Sequence, residues 1–221
     1  MEHTEAAAVA PACLYADDDL LVLVKPSGLL CVPGRGPDKQ DCLSARAQAH
    51  WPEALIVHRL DQATSGLVLM ARHLDMQRAL SALFAQRQVY KHYEAIVAGT
   101  PEAPVGTWQT IDAPMAADWE RRPLQVISPA GKTSLTRWSL LGPYPHPALQ
   151  ASRLRLEPIT GRTHQLRLHV QHAGWPMLGD SLYAPALVAA AAPRLLLHAC
   201  ELRLTQPLSG RALHLESAAP F

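Results

Sequence analysis

Residues 58–66 read His-Arg-Leu-Asp-Gln-Ala-Thr-Ser-Gly and run directly into an apolar stretch at 66–71. A short apolar run bounded by turn residues predicts a buried strand, so the polar residues before it form the connection leading into that strand. This connection holds the carboxylate of Asp61, and the hydroxyls of Thr64 and Ser65 can hydrogen-bond the turn backbone and fix where Asp61 points. On spacing alone, an ordinary polar turn capped by its own aspartate is the better explanation.

The remaining sequence alternates predicted strands with a few predicted helices. The strands lie at 20–24, 66–71, around Tyr93, 133–141, 152–157, 195–204 and 211–216, and the helices lie at 42–50, 74–88 and 163–173. This order indicates an α+β fold with a mixed, mostly antiparallel central sheet flanked by helices and loops. Residues 1–12 are rich in Ala and Pro and predict a flexible N-terminal tail, which leaves 13–221 as one domain.

Composition limits the classes of function. The formal net charge is only +1, so binding of a nucleic acid must depend on local clusters of Arg and Lys. Four cysteines form no Cys-x-x-Cys pair, which argues against a zinc ribbon or a disulfide framework and predicts buried, reduced thiols. The sequence begins with acids where a secretory signal needs positive charge, and no apolar run approaches the roughly 18 residues of a membrane span. We therefore expect a soluble, cytoplasmic protein.

The helix predicted at 163–173 has Thr163 as its N-cap and Gly174 as its C-cap. Its first N–H groups can bind a phosphate. Arg162 and Arg167 are five residues apart and do not share a helix face, so one can reach outward while the other turns inward. The alternative is a solvated helix whose arginines pair with surface acids.

Three histidines in this region, His164, His169 and His172, raise the question of a metal site. His169 and His172 could meet on one helix face, but no His-Glu-x-x-His motif or nearby Cys or Asp completes a ligand set. Packing or RNA contact therefore explains these residues better than metal ligation. A metal-dependent hydrolase would lose its activity to a chelator, which gives the alternative a simple test.

Taken together, three segments resemble the RluA-type pseudouridine synthases. The run at 58–66 resembles the catalytic motif of that family, and Tyr93 and the stretch 161–167 resemble its second and third motifs in the right order. The opening segment around Lys25-Pro26-Ser27-Gly28-Leu29 and the later segment 174–180 also resemble the family. Similarity is greatest to the short RluA subgroup, without the S4-like RNA-binding domain of longer relatives, and it extends from about Leu14 to the C-terminus.

The resemblance implies an isomerase that converts uridine to pseudouridine, a reaction that needs no redox cofactor, metal or ATP. It implies Asp61 as the catalytic carboxylate, Arg167 as the cation that keeps Asp61 ionised, and Tyr93 as the ring that stacks on the flipped-out uracil. It implies that the remaining residues of the site bind the RNA: Arg59, which fills the space left by the base; Leu166, which forms an apolar wall; and His58, Thr64, Arg162 and His164.

The resemblance to the RluA subgroup also implies two substrates, a stem-loop of 23S rRNA and a tRNA anticodon stem-loop, and a monomeric enzyme. The sequence leaves open which uridine is modified and which chemical path Asp61 follows. An RNA-binding module of the same fold without catalysis is the main alternative, although Asp61, Tyr93 and Arg167 are all present. A purely structural protein would leave the three motifs unexplained.

Overall fold

A computed structural model describes residues 10–221, so most of the predicted tail at 1–12 lies outside the described residues. The described chain divides into two compact units. The first comprises residues up to Val89 together with Arg203–Ser217, and the second comprises Tyr90–Leu202 together with Ala218–Phe221. No helix within residues 10–221 is long and apolar enough to cross a membrane.

The first unit contains an antiparallel sheet. Strand β1 (Ala12–Ala16) pairs with β2 (Leu20–Lys25), β2 pairs with β4 (Ser65–Ala71), and the two-residue β3 (Leu55–Ile56) pairs with the end of β4. All seven residues of β4 are buried, which explains why this strand reads as a continuous apolar run rather than as an alternation. Because β2 and β4 are rigid and buried, the connections at their ends are firmly positioned.

Helices α1 (Leu43–Gln48) and α2 (Leu74–Ala85) and strand β12 (Ala212–Glu216) complete the first unit, with a single 3-10 turn at Pro37–Lys39. Helix α2 buries Met76 and Leu80, which are one turn apart on its inner face. The ring nitrogen Nδ1 of His73 accepts a hydrogen bond from the Met76 amide (3.2 Å) and so caps the helix start.

The second unit contains four consecutive antiparallel strands in the order β5 (Tyr90–Ala98), β10 (Ala151–Pro158), β9 (Leu135–Tyr144) and β6 (Trp108–Asp112). Strand β11 (Leu197–Thr205) lies on the other side of β5 and belongs to the second unit as far as Leu202.

A separate hairpin is formed by β7 (Met115–Ala117) and β8 (Gln125–Ile127). Helix α3 (Gln165–His172) packs against β8, β9 and β10, and a short helix α4 (Ala186–Ala189) follows it. Helix α3 therefore lies between the hairpin and the sheet of the second unit.

The predicted α+β class, with mostly antiparallel pairing, is confirmed, and every predicted strand and helix is present. The ends of several elements differ by one to three residues, and three differences are the largest or concern the predicted tail. Strand β1 begins at Ala12, inside the predicted tail, helix α2 ends at Ala85 rather than at residue 88, and β9 continues to Tyr144 through a Pro-rich segment. The prediction of four buried thiols is confirmed for Cys31 and Cys42 and is wrong for Cys13, which is exposed on β1, while Cys200 is half-buried.

The predicted N-cap Thr163 is also wrong. The cap residue is His164, which adopts a left-handed conformation with φ of 55°, and α3 begins one residue later. At the other end Ala173 is the C-cap, and Gly174 follows it with φ of 92°. The prediction of Gly174 as the C-cap is therefore wrong by one residue, and Gly174 instead follows the cap with the positive φ that favours glycine.

Candidate active site

Asp61 lies at the first position of a tight turn that leads into β4. Its carbonyl accepts a hydrogen bond from the Thr64 amide (3.1 Å), and its side chain is half-buried. Leu60 is buried and its amide donates to the Cys31 sulfur (3.2 Å), whereas Arg59 is exposed. The turn therefore presents a partly desolvated carboxylate and an exposed guanidinium two residues apart, both on the rigid end of a buried strand.

The loop at residues 25–29 braces this turn. The Lys25 ammonium is fully buried and donates to three carbonyl oxygens, those of Pro26 (2.8 Å), Leu29 (2.7 Å) and Gln62 (3.0 Å). Three further hydrogen bonds join the loops: from Ser27 Oγ to the Ala63 carbonyl (2.6 Å), from the Gly28 amide to the Gln62 carbonyl (2.9 Å), and from Gln62 Nε2 to the Gly28 carbonyl (3.0 Å). The residues on both sides of Gln62 are thus fixed, which restricts where the Asp61 backbone can go.

His58 anchors the other side of the connection. Its Nε2 accepts a hydrogen bond from the Leu69 amide (2.9 Å), and its ring stacks on Phe84 at 4.4 Å. Strand β3 ends at Ile56, so His58 supplies the acceptor that the neighbouring β4 amide would otherwise lack. The structure therefore gives His58 a packing role, and its contact with RNA stays a prediction.

We expected the hydroxyl of Thr64 to hydrogen-bond to the backbone of the turn, but among residues 10–221 it makes no such bond. The Thr64 side chain is buried, and only its amide bonds to the turn. The ammonium of Lys25 and the hydroxyl of Ser27 on the neighbouring loop bond to the turn. A local sequence pattern could not reveal these partners, because they lie more than thirty residues earlier in the chain.

Tyr93 lies on β5, opposite the buried Leu156 of β10, and is half-buried. Its neighbour His92 is buried, with Nδ1 2.6 Å from Glu201 Oε2. Burial lowers the pKa of Lys91, against the opposing attraction of the Glu157 carboxylate. Tyr93 therefore follows a buried histidine that is fixed on the strand by its contact with Glu201.

Gln165 organises the start of α3. Its side chain is buried, and its Oε1 accepts hydrogen bonds from the Arg162 amide (3.0 Å) and from Thr160 Oγ1 (2.7 Å). Its Nε2 donates to the Leu135 carbonyl (3.0 Å) and to Thr136 Oγ1 (3.0 Å) on β9. The helix start is thus tied to the sheet by a glutamine that sequence reasoning did not single out.

One of the two arginines, Arg162, is exposed and the other, Arg167, is buried, as their spacing predicted. Arg162 is exposed, and its guanidinium bonds to the Thr133 carbonyl (3.3 Å) rather than to a surface acid. Arg167 is buried and forms a bidentate pair with Asp180, with Nε to Oδ2 at 2.9 Å and Nη2 to Oδ1 at 2.5 Å. The solvated-helix alternative is therefore wrong for both arginines.

Asp180 is the main site residue that sequence reasoning missed. It is as buried as Arg167, and its Oδ1 also accepts hydrogen bonds from the amides of Leu182 (2.9 Å) and Tyr183 (3.2 Å). The signal was the Gly179-Asp180 pair in the segment that resembles the family, but nothing local indicated that its carboxylate pairs with Arg167. The pairing of Arg167 with Asp61 stays a prediction.

Tyr183 joins several of these groups. Its hydroxyl lies 2.8 Å from His164 Nδ1 and accepts a hydrogen bond from the Gln125 amide (2.9 Å), and the Arg167 guanidinium lies 5.2 Å from its ring centre. His164 therefore has a protein partner as well as an unusual backbone conformation, a combination typical of functional sites.

Of the two histidines of α3, His169 is used for packing and His172 is exposed. His169 is fully buried, and its Nε2 lies 3.0 Å from the Ala113 carbonyl, next to β7. Burial lowers the pKa of His169 against the opposing effect of this hydrogen bond, so the ring is held neutral. Leu166 is buried on the same helix, as an apolar wall requires.

Comparison with known proteins identifies the class. A family model described as RNA pseudouridylate synthase matches residues 19–172. The dual-specificity RNA pseudouridine synthase RluA of Escherichia coli (strain K12) is 42% identical over 209 residues, 94% of this chain and 93% of that protein. The protein of the same name from Haemophilus influenzae is 39% identical over the same length and coverage.

Two human structures have the same fold. RNA pseudouridylate synthase domain containing 1 superimposes with a TM-score of 0.81 at 27% identity, covering 100% of this chain and 87% of that one. RNA pseudouridylate synthase domain containing 4 gives a TM-score of 0.73 at 26% identity, covering 95% and 88%. The chain belongs to the RNA pseudouridylate synthase family. It is accordingly an isomerase that acts on uridine in RNA.

Proposed function

We propose that this protein isomerises uridine to pseudouridine in a stem-loop of 23S rRNA and in a tRNA anticodon stem-loop, with Asp61 as the catalytic carboxylate. The observation that carries the proposal is the turn at 61–64, which holds a half-buried carboxylate on the end of a buried strand and is braced by the buried ammonium of Lys25. The two substrates rest on similarity to relatives named for dual specificity.

The reaction breaks the bond between uracil N1 and ribose C1′, rotates the base and joins C5 to C1′. The proton on C5 is lost and N1 takes one up, so the product has the same atoms as the substrate. An ionised carboxylate beside the sugar and base suits this chemistry, because positive charge develops at the sugar when the N1–C1′ bond breaks. We assign Asp61 as this ionised carboxylate.

Three further residues are assigned to the reaction. Tyr93 stacks on the uracil and assists removal of the C5 proton. Leu166 forms an apolar wall against the base, and Arg167 stabilises the ionised form of Asp61. The bidentate pair with Asp180 fits this assignment, because it fixes the guanidinium plane of Arg167 before substrate binds.

The target uridine must leave the base stack to reach Asp61. Arg59 is exposed two residues before Asp61, which suits a side chain that enters the vacated space and contacts the backbone. His58, Thr64, Arg162 and His164 would then position the RNA around the flipped base, His58 and Thr64 by shaping the turn. With a net charge of only +1, recognition depends on the shape of a folded loop rather than on a broad basic surface.

Residues 13–221 would act as one catalytic domain, monomeric and located in the cytoplasm with its RNA substrates. The alternative of an RNA-binding module without catalysis has no observation in its favour, since the carboxylate turn is fully formed.

Pseudouridine mapping of total RNA tests the proposal. Cells that lack this protein should lose modification at one rRNA loop and one tRNA anticodon loop, and the wild-type gene should restore both. The proposal would be contradicted if an Asp61→Asn gene restored the modification, or if both RNAs stayed fully modified in cells that lack the protein.

A further inference from the structure

Lys91 lies on the same face of the second unit's sheet as Tyr93. Both residues belong to β5, and side chains two positions apart in a strand point to the same side, with their Cα atoms roughly 7 Å apart. His92 between them points to the other side, where its ring stacks on Trp108 of β6 at 5.5 Å. The remaining residues of β5 on the side of Tyr93 are apolar, so Lys91 is the charged residue of this strand on that face.

Helix α3 lies on this face as well. Tyr93 is paired with Leu156 of β10, and Leu156 is paired with Trp138 of β9, so these three side chains share one face of the sheet. Thr136, two residues before Trp138, points to the same side, and its hydroxyl accepts a hydrogen bond from Gln165 Nε2 (3.0 Å) at the start of α3. The helix that carries the third motif therefore lies on the side of the sheet to which Tyr93 and the preceding lysine point.

The ammonium of Lys91 is partly removed from water. Its side chain is half-buried, and burial lowers the pKa of Lys91, while the Glu157 carboxylate opposes this effect. Glu157 itself bonds to Arg137 at 2.8 Å, on the face of the sheet opposite Tyr93. The positive charge of Lys91 is thus held on the side of Tyr93 in surroundings where charges interact more strongly than they do in water.

The proposed reaction needs a positive charge near the base. When the N1–C1′ bond breaks, its electron pair stays with uracil, so the ring becomes negative as the sugar becomes positive. Asp61 stabilises the sugar, whereas the negative ring needs a cation, and the Arg167 guanidinium is already bonded twice to Asp180. A cation next to the residue that stacks on uracil stabilises the transition state more than the uncharged ground state, and this difference is what accelerates a reaction.

We propose that the Lys91 ammonium stabilises the negative charge that develops on uracil as the N1–C1′ bond breaks. The inference rests on the proposed function, in which Tyr93 stacks on the flipped base. Formation of the C5–C1′ bond returns the electron pair to the sugar, so Lys91 keeps its proton throughout and acts by its charge alone. A lysine with this role lowers the stability of the fold, because its ammonium is partly desolvated.

A more stable leaving group provides the test, because fluorine at C5 withdraws electrons and stabilises the uracil anion. Two tRNA anticodon stem-loops are compared, one with uridine and one with 5-fluorouridine at every loop uridine, and loss of the parent nucleoside is followed under single-turnover conditions. Lys91→Met should lose about 100-fold in rate on the uridine RNA, the effect expected when one stabilising group is removed. On the 5-fluorouridine RNA it should lose only roughly tenfold, since the fluorinated anion depends less on the ammonium.

Three controls separate charge from structure. Lys91→Arg keeps the positive charge and should recover much of the rate on uridine RNA. Lys39→Met makes the same chemical change at an exposed lysine of the first unit, and its ratio of the two rates should equal that of wild type. The melting temperature of Lys91→Met should not fall, because methionine in a half-buried position has no charge to desolvate.

Equal losses on the two RNAs, or no loss on uridine RNA, overturn the inference and leave the proposed function standing if wild type is active. Equal losses together with a lower melting temperature would show that Lys91 is a structural partner of Glu157. Absence of wild-type turnover on both RNAs would contradict the proposed function itself, and the inference with it.

Discussion

Replacing Arg167 with methionine removes one half of the buried ion pair with Asp180 and leaves a carboxylate with 1% of its surface exposed. Removing one partner of a buried pair costs about 3–5 kcal/mol, because the remaining charge is uncompensated. The amides of Leu182 and Tyr183 still donate to Asp180, so the lower end, about 3 kcal/mol, is expected. For a chain of this size, that loss lowers the melting temperature by roughly 6–12 °C.

A double substitution separates the loss of stability from the loss of activity. Arg167→Met/Asp180→Asn removes the stranded charge, while the asparagine oxygen still accepts from the Leu182 and Tyr183 amides. It should therefore recover at least half of the lost stability without recovering pseudouridine formation. Arg167→Lys should be intermediate, because lysine keeps the charge without the planar fork.

Thermal melts by circular dichroism, measured beside rates of pseudouridine formation at neutral pH, test this reasoning. If the melting temperature of Arg167→Met equals that of the wild type, the pair with Asp180 does not stabilise the fold. If the double variant regains activity together with stability, Arg167 is a structural residue only.

Three further predictions follow from the geometry. Lys25→Met should cost about 1–3 kcal/mol of stability by leaving the buried Leu29 carbonyl without its ammonium donor, and should reduce kcat more than it raises KM; unchanged kcat would show that Lys25 does not position the turn. Because burial lowers the pKa of His169, the unfolded chain takes up a proton that the folded chain does not as pH falls below about 6.5. Wild type should then lose stability between about pH 6.5 and 5 more steeply than His169→Gln, by at most about 1.4 kcal/mol per pH unit, and equal slopes in denaturation curves would refute this. Arg59→Ala should melt like wild type. Relative to the wild-type rate on the same RNA, it should lose more activity on a duplex-flanked uridine than on a single-stranded one, and equal losses on both RNAs would count against a role in base flipping.

The parts of the fold that could be predicted are those with a strong local signal. The apolar runs that become β2 and β4 are buried on both faces, and the spacing of Met76 and Leu80 matches one face of α2. Strands β7 and β8 have three residues each in a Pro-rich region, and are too short to show a periodic pattern. Short pairings of this kind are decided by packing against α3 rather than by propensity.

The candidate site likewise contains some residues that could be predicted from the sequence and others that could not. Asp61, Tyr93 and Arg167 lie in segments that resemble a known family, so the sequence pointed to them directly. Lys25 and Asp180 act through partners thirty-seven and thirteen residues away, and neither partner can be read from local spacing. His164 is the N-cap residue of α3 in a left-handed conformation, and its ring lies 2.8 Å from the Tyr183 hydroxyl, a contact that propensity for the N-cap position does not anticipate.

Release of tritium from RNA labelled at C5 of uridine tests the central claim most directly, because the C5 hydrogen leaves only when the base is rejoined through C5. With a tRNA anticodon stem-loop, wild-type protein should release the label, while Asp61→Asn should release none and still bind the RNA. The asparagine keeps the shape of the side chain and removes only its charge. Substantial release by Asp61→Asn would contradict the assignment of Asp61 as the catalytic carboxylate.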